Sequence, residues 1–141
     1  MNESDNVAVV RRFVDAFNRL DIDAALADAD PDIVLKEWVE APGAQAYHGC
    51  DGVRAAISNW FETWEWMQVE IKDITEVSDV CVLVTLYQRA KGTGSGIEVD
   101  LTTYNVYSFR DGKVKELALY MERDAALEAA GLTPNYDKEK A

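Results

Sequence analysis

Apolar residues recur at helical spacing through roughly the first half of the chain and at two-residue spacing through the second. Val7, Val10, Phe13, Val14 and Phe17 mark one face of a helix of about four turns, with Ser4 or Asp5 available as its cap and Arg11, Arg12 and Asp15 on the wet side. Ile22, Ala25, Leu26 and Ala29 continue the period in a shorter helix, from Asp21 or Asp23 through Ala29, which Pro31 ends. A strand follows over 33–38, Ala41-Pro42-Gly43 forms a turn, and Asp51 is placed to cap a third helix carrying Ile57, Trp60, Phe61 and Trp64.

Beyond Gln68 the alternation predicts strands over 69–76, 80–87, 97–109 and 114–121. The glycine-rich link Lys91-Gly92-Thr93-Gly94-Ser95-Gly96 lies between two strands and lacks both a following helix and a Lys-Ser/Thr pair, so it reads as a hairpin loop and not a phosphate cradle. Asp111-Gly112 is the tip of another hairpin. A last helix over 123–130 has Gly131 at its C′ position, Leu132 as the apolar contact after it and Pro134 to block continuation. The reading is one domain over 1–132 with a polar tail over 133–141. Helices first and a long antiparallel sheet afterwards is an α+β order, in which helices before residue 66 pack into the concave side of a curved sheet.

Composition narrows the function classes. The 141 residues are 48% hydrophobic, which suits one compact domain, and no run approaches the ~20 apolar residues of a membrane span. A formal charge of −12, with 14 basic residues against 26 acidic ones, argues against nucleic acid and anionic membranes as partners. The opening Met1-Asn2-Glu3-Ser4-Asp5 has no signal-peptide character, so the expected location is cytoplasmic. Cys50 and Cys81 lie far apart with no metal-ligand spacing and are expected as free thiols, and no metal is expected.

Glu37 is the residue with the clearest chemical promise. In Ile33-Val34-Leu35-Lys36-Glu37-Trp38 the alternation puts it on the face of Ile33 and Leu35. A carboxylate on an apolar face is disfavoured in its charged form, which can make it a proton carrier near neutral pH. The competing reading is a strand-end carboxylate that reaches solvent or pairs with Lys36 or Arg54. His48, the single histidine, reads as a solvent-facing turn residue, and no serine or cysteine has an evident base and orienter.

Four segments carry a family resemblance: Val9-Val10-Arg11-Arg12-Phe13-Val14-Asp15-Ala16-Phe17-Asn18, Tyr47-His48-Gly49-Cys50-Asp51-Gly52-Val53, Ser108-Phe109-Arg110-Asp111-Gly112-Lys113-Val114 and Ala125-Ala126-Leu127-Glu128-Ala129-Ala130-Gly131-Leu132. In this order and spacing they resemble a SnoaL-like member of the nuclear transport factor two superfamily. The resemblance implies a single-domain cone, a curved antiparallel or mixed β-sheet wrapped around N-terminal helices in a cystatin-like roll. It leaves function open, since the superfamily holds isomerases, polyketide cyclases, dehydratases, epoxide hydrolases and non-enzymes. It puts Glu37 where ketosteroid isomerases keep their proton-shuttling carboxylate and Asn105 where they keep a protonated acid, but puts Phe13 where they use a tyrosine donor. Leu86, Gln88 and Leu119 stand where the epoxide hydrolases have an Arg and two carboxylates, which argues against that activity.

On the strand over 97–109, Leu101, Thr103, Asn105, Tyr107 and Phe109 share one face, while Thr102, Tyr104, Val106 and Ser108 share the other, unless a bulge exchanges them. With the first set inward, the expected pocket has Glu37, Asn105 and Tyr107 as catalytic groups. Gln88 and Thr103 stand beside them, and Trp60, Trp64, Leu117, Leu119 and Met121 form the walls. Two functions fit: a cofactor-free cyclase or isomerase moving a proton beside a carbonyl of a hydrophobic cyclic or polyketide-like ligand, and a non-catalytic ligand-binding or dimerisation module. A homodimer is expected because Tyr104, Val106 and Tyr120 would otherwise form a bare apolar patch on the convex face.

Overall fold

The change of period falls at Trp64, where helix α3 (Gly49–Thr63) runs without a loop into a strand (Trp64–Ser78). The computed structural model describes residues 4–39 and 41–133, so the expectations for Pro134 and most of the polar tail lie outside the described residues. In chain order the elements are α1 (Asp5–Asn18), α2 (Ile22–Ala25), β1 (Ala29–Lys36), β2 (Ala46–His48), α3, β3 (Trp64–Ser78), β4 (Cys81–Gly92), β5 (Glu98–Arg110), β6 (Lys113–Tyr120) and α4 (Arg123–Ala129). One six-stranded sheet has the order β2-β1-β6-β5-β4-β3. Among the described residues only the β1–β6 pair is parallel, so the sheet is mixed.

The first helix forms as its stripe predicts: Ser4 caps it by accepting from the Val7 N–H, and Val7, Val10, Val14 and Phe17 are buried. The second helix is shorter than its periodicity suggests. Asp21 caps it through the Ala24 N–H, but it stops at Ala25, and the chain is already a strand at Ala29. Tertiary pairing overrides the local pattern here, because Asp28 C=O accepts from Val114 N–H and Ala29 pairs with Val114 of β6. Pro31 therefore sits inside β1 and does not end a helix. It falls between Ala29 and Val34, where the β1–β6 register shifts, a place where a missing N–H costs no ladder bond.

Asp51 is not the cap of α3; His48 occupies the N-cap position without a side-chain bond, and Asp51 lies in the first turn. The reason is that Ala46–His48 pairs with β1 as a short strand, which fixes the chain up to Gly49. The third strand overruns its expected span of 69–76 at both ends and β4 overruns its expected end at residue 87, and three register shifts between β3 and β4 bend that pair. The expected hairpin loop joins β4 to β5, closed by Gly92 N–H to Ile97 C=O at 2.9 Å. At the end of α4, Leu132 N–H reaches Leu127 C=O and Gly131 N–H reaches Glu128 C=O, with Gly131 at φ 84°, the geometry that suits glycine.

Two apolar clusters flank the sheet. The larger fills the concave side with α1, α3 and the inward residues of β1 and β3 to β6. The smaller lies on the convex side, where Leu83, Val106, Ala118 and Tyr120 pack against Ala126 and Leu127 of α4. This corrects the basis of the dimer expectation, because Val106 and Tyr120 are 4% and 9% exposed and Tyr104 is half-buried. The last helix covers Val106 and Tyr120 and leaves Tyr104 as the partly open remainder of that patch. Among the described residues no helix is long and apolar enough to cross a membrane.

Candidate functional site

Inside the cone, α1, α3 and the concave face of the sheet enclose a cavity of about 650 Å³. Its shape depends on β5 alternating without interruption. The register shift between β5 and β6 leaves Ser108 opposite Glu116 and Phe109 opposite Val114, so the extra residue is Lys115 on β6 and the inward set on β5 is undisturbed. Leu101, Asn105 and Tyr107 accordingly line the cavity. The wall beneath α1 is pinned by Asn18, whose amide donates to Val69 C=O and accepts from Val69 N–H, both at 2.8 Å. That bidentate bond satisfies one residue of β3, the edge strand, and ties it to the helix end.

Glu37 lines the cavity just past the last paired residue of β1, with its N–H bonded to Gln45 C=O at 2.9 Å. Its carboxylate is half-buried and accepts a 3.0 Å hydrogen bond from the Trp60 indole. The two cations weighed as partners are engaged elsewhere, Lys36 with Glu116 at 2.8 Å and Arg54 with Asp23 at 2.7 Å. The Glu116 contact raises the Lys36 ammonium above its usual value, first by hydrogen bonding and then by charge.

Opposite polar groups come from β5. Asn105 is 5% exposed and Tyr107 0%, yet among the described residues the Asn105 Oδ1 and the Tyr107 hydroxyl have no hydrogen-bond partner. Burial pushes the Tyr107 phenol far above its ordinary range, so the group stays a protonated donor. Phe13 packs its ring edge-on to Tyr107, with centroids 5.8 Å apart.

Of the sequence-predicted site residues, Glu37, Asn105, Tyr107, Trp60, Trp64, Gln88, Leu117, Leu119 and Met121 all line this cavity. Thr103 does not; it is fully buried and accepts from the Gln88 amide at 2.8 Å, so it orients Gln88 without reaching the cavity wall. His48 is exposed at the start of α3, outside the cavity, and both cysteines are free. Sequence reasoning missed Phe17, Met67 and Trp38 as lining groups. Phe17 was legible, since it shares the stripe of Phe13. Trp38 was not, because alternation turns it away from Glu37. A left-handed backbone at φ 44°, uncommon and strained for a bulky residue, lets these two successive side chains both reach the cavity.

A different polar cluster sits away from the cavity. Arg110 holds Asp30 in a two-pronged pair at 2.8 and 3.0 Å, and Asp32 N–H adds a bond at 2.8 Å. These hydrogen bonds keep the Asp30 carboxyl below its usual value. Neither residue lines the cavity, and the pair ties the start of β1 to the end of β5.

Comparison with solved structures finds the same architecture. An NTF2-like protein of unknown function from Burkholderia pseudomallei superposes with a TM-score of 0.76 at 22% identity, covering 89% of this chain and 97% of that one. A candidate SnoaL-like polyketide cyclase from Jannaschia sp. CCS1 gives 0.75 at 20% identity, with 92% and 96% covered. A Mycobacterium tuberculosis protein in complex with estradiol-17beta-hemisuccinate gives 0.73 at 16% identity, with 86% and 97% covered. At these identities the likeness shows the fold alone. No curated protein matches the sequence. The family model of the SnoaL-like domain matches residues 10–117, which spans the cavity-forming part of α1 through most of β6, and the chain belongs to that family.

Proposed function

We propose that the cavity binds a flat, largely apolar organic molecule carrying a carbonyl group and that Glu37 moves a proton beside that carbonyl. The observation that carries this reading is that Asn105 and Tyr107, which line a mostly apolar cavity together with Glu37, each keep a buried side-chain oxygen without a partner among the described residues. Such groups cost stability unless something pairs with them, and a ligand is what the cavity admits. Glu37 takes a proton from the carbon next to the carbonyl. The electron pair moves onto the carbonyl oxygen as an enolate, which the Tyr107 O–H stabilises, while Asn105 Oδ1, an acceptor, is left for a hydroxyl of the ligand. Return of the proton to another carbon gives isomerisation. Attack of the enolate carbon on a second carbonyl of the same molecule breaks that C=O π bond, and the resulting alkoxide takes the proton back from Glu37, which gives ring closure and regenerates the carboxylate. The Trp60 indole holds one carboxylate oxygen throughout and leaves the other for the proton. The similar protein in complex with estradiol-17beta-hemisuccinate is consistent with a cavity of this fold taking a ligand of this size.

The test is hydrogen–deuterium exchange at the carbon beside the carbonyl of cyclic ketones and poly-carbonyl compounds in heavy water, read by NMR. Wild type should catalyse exchange and Glu37→Gln should not. Binding without exchange in the wild type supports a second reading, a non-catalytic binding module, which Phe13 favours by standing where isomerases of this fold place a donor. For assembly, pairing of two copies would use the convex surface that α4 leaves open, where Tyr87 and Tyr104 are half-buried. A single species near 15.8 kDa in sedimentation at micromolar concentration rejects it.

A further inference from the structure

Resting on the reading of the cavity as a ligand site, we infer that it selects by charge: among molecules of one apolar shape it takes the organic cation before the neutral form and turns away the anion. The rings of Phe13, Phe17, Trp38, Trp60, Trp64 and Tyr107 line it, and aromatic faces attract positive charge. The lining also holds two carboxylates, Glu37 and Asp100, and among the described residues no Lys, Arg or His. Glu37 dominates. Asp100 lies at the exposed end of β5, opposite Arg89 in the ladder, and acts only at the rim.

Among the described residues no cation pairs with Glu37. Its hydrogen-bond partner is the uncharged Trp60 indole, which holds the carboxylate in place but leaves its charge intact. Lys36 and Arg54, the two cations considered as its partners, are committed to Glu116 and Asp23. In a half-buried site walled by rings, the effective dielectric is well below that of water and a charge on the ligand is felt strongly. An ammonium group against Glu37 gains an ion pair and ring contacts together. A carboxylate or phosphate in the same place meets like charge with no counter-ion, which excludes acidic ligands from that end of the cavity.

A matched series tests this: 2-naphthylmethylammonium, 2-naphthalenemethanol and 2-naphthoate, titrated calorimetrically into the full chain near neutral pH. The ammonium should bind about tenfold or more tighter than the carboxylate, with the alcohol between them. The overall charge of −12 would attract any cation, so Glu37→Gln is the control, because it leaves nearly all of the surface charge in place. Its amide oxygen still accepts from Trp60, and circular dichroism checks that it folds. In that variant the ammonium should weaken about tenfold, while the alcohol changes by less than about threefold. Equal affinities for ammonium and carboxylate in the wild type would overturn the inference, as would an unchanged ammonium-to-alcohol ratio in Glu37→Gln. Either result leaves the cavity a binding site. Binding of none of the three by the wild type removes the ligand-site reading itself, and the inference with it.

Discussion

Tyr107→Phe separates a residue kept for a ligand from one kept for packing. The substitution removes one buried hydroxyl that has no partner and keeps the ring, including its edge contact with Phe13. A buried hydroxyl without a partner costs about 1–3 kcal/mol. Water entering the cavity in solution offsets part of that cost, so a gain of about 1 kcal/mol on replacement is the expected value. With unfolding entropy near 2.1 cal/mol/K per residue, a chain of this length gains about 3 °C in Tm for each kcal/mol. The variant should therefore melt about 3 °C higher than wild type, while enolate stabilisation by this donor disappears and exchange slows by about 10² or more. Differential scanning calorimetry and the deuterium-exchange assay read the two effects on one preparation. A variant that melts lower, with exchange unchanged, would refute the reasoning, because the hydroxyl would then have a structural partner and no ligand role.

Other perturbations address separate parts of the structure. Glu37→Gln should abolish exchange with little change in Tm, since the amide oxygen can still accept from Trp60; retained turnover would assign the base elsewhere. Asn18→Ala removes both bonds to Val69 and leaves its N–H without that partner, so thermal melts should show a loss of about 1–3 kcal/mol. Asp30 has a folded-state pKa below its ordinary 3.8, so the unfolded chain binds its proton first as the pH falls. The stabilisation it gives is present above that value and is lost as pH drops through the folded one. Asp30→Asn should flatten the acid limb of stability against pH; an unchanged slope below pH ~4 would show that other carboxylates govern it.

The sheet and the enclosing helices were legible because each depends on a period that many residues repeat. Val7, Val10, Val14 and Phe17 all had to fall on one side for α1 to pack, and all did. The failures lie where pairing partners distant in sequence decide the outcome. Ala29 and Pro31 carry no local sign that β6 will claim them, and the brief strand Ala46–His48 exists only because β1 runs beside it. The covered convex patch belongs to the same class. Its residues were read correctly as apolar and outward, but the sequence does not say that Ala126 and Leu127 fold back onto them.

The site divides in the same way, and the division bears on function. Glu37, Asn105 and Tyr107 were found by alternation, a rule that holds so long as the strand is regular. Thr103 obeyed the same rule and still missed the wall, because Gln88 stands over its hydroxyl. Trp38 breaks the rule through a backbone that a bulky side chain enters only at a cost. It does so at the residue after the carboxylate and on the cavity wall. Two residues with an orphaned polar atom and one strained tryptophan thus line a single cavity. A fold that needed only stability would remove all three with ordinary substitutions, a phenylalanine for Tyr107 first among them. Their presence together is what selection for a bound molecule would leave behind, and their absence from the Asp30–Arg110 pair, where every formed bond serves packing of the strands, marks that cluster as structural.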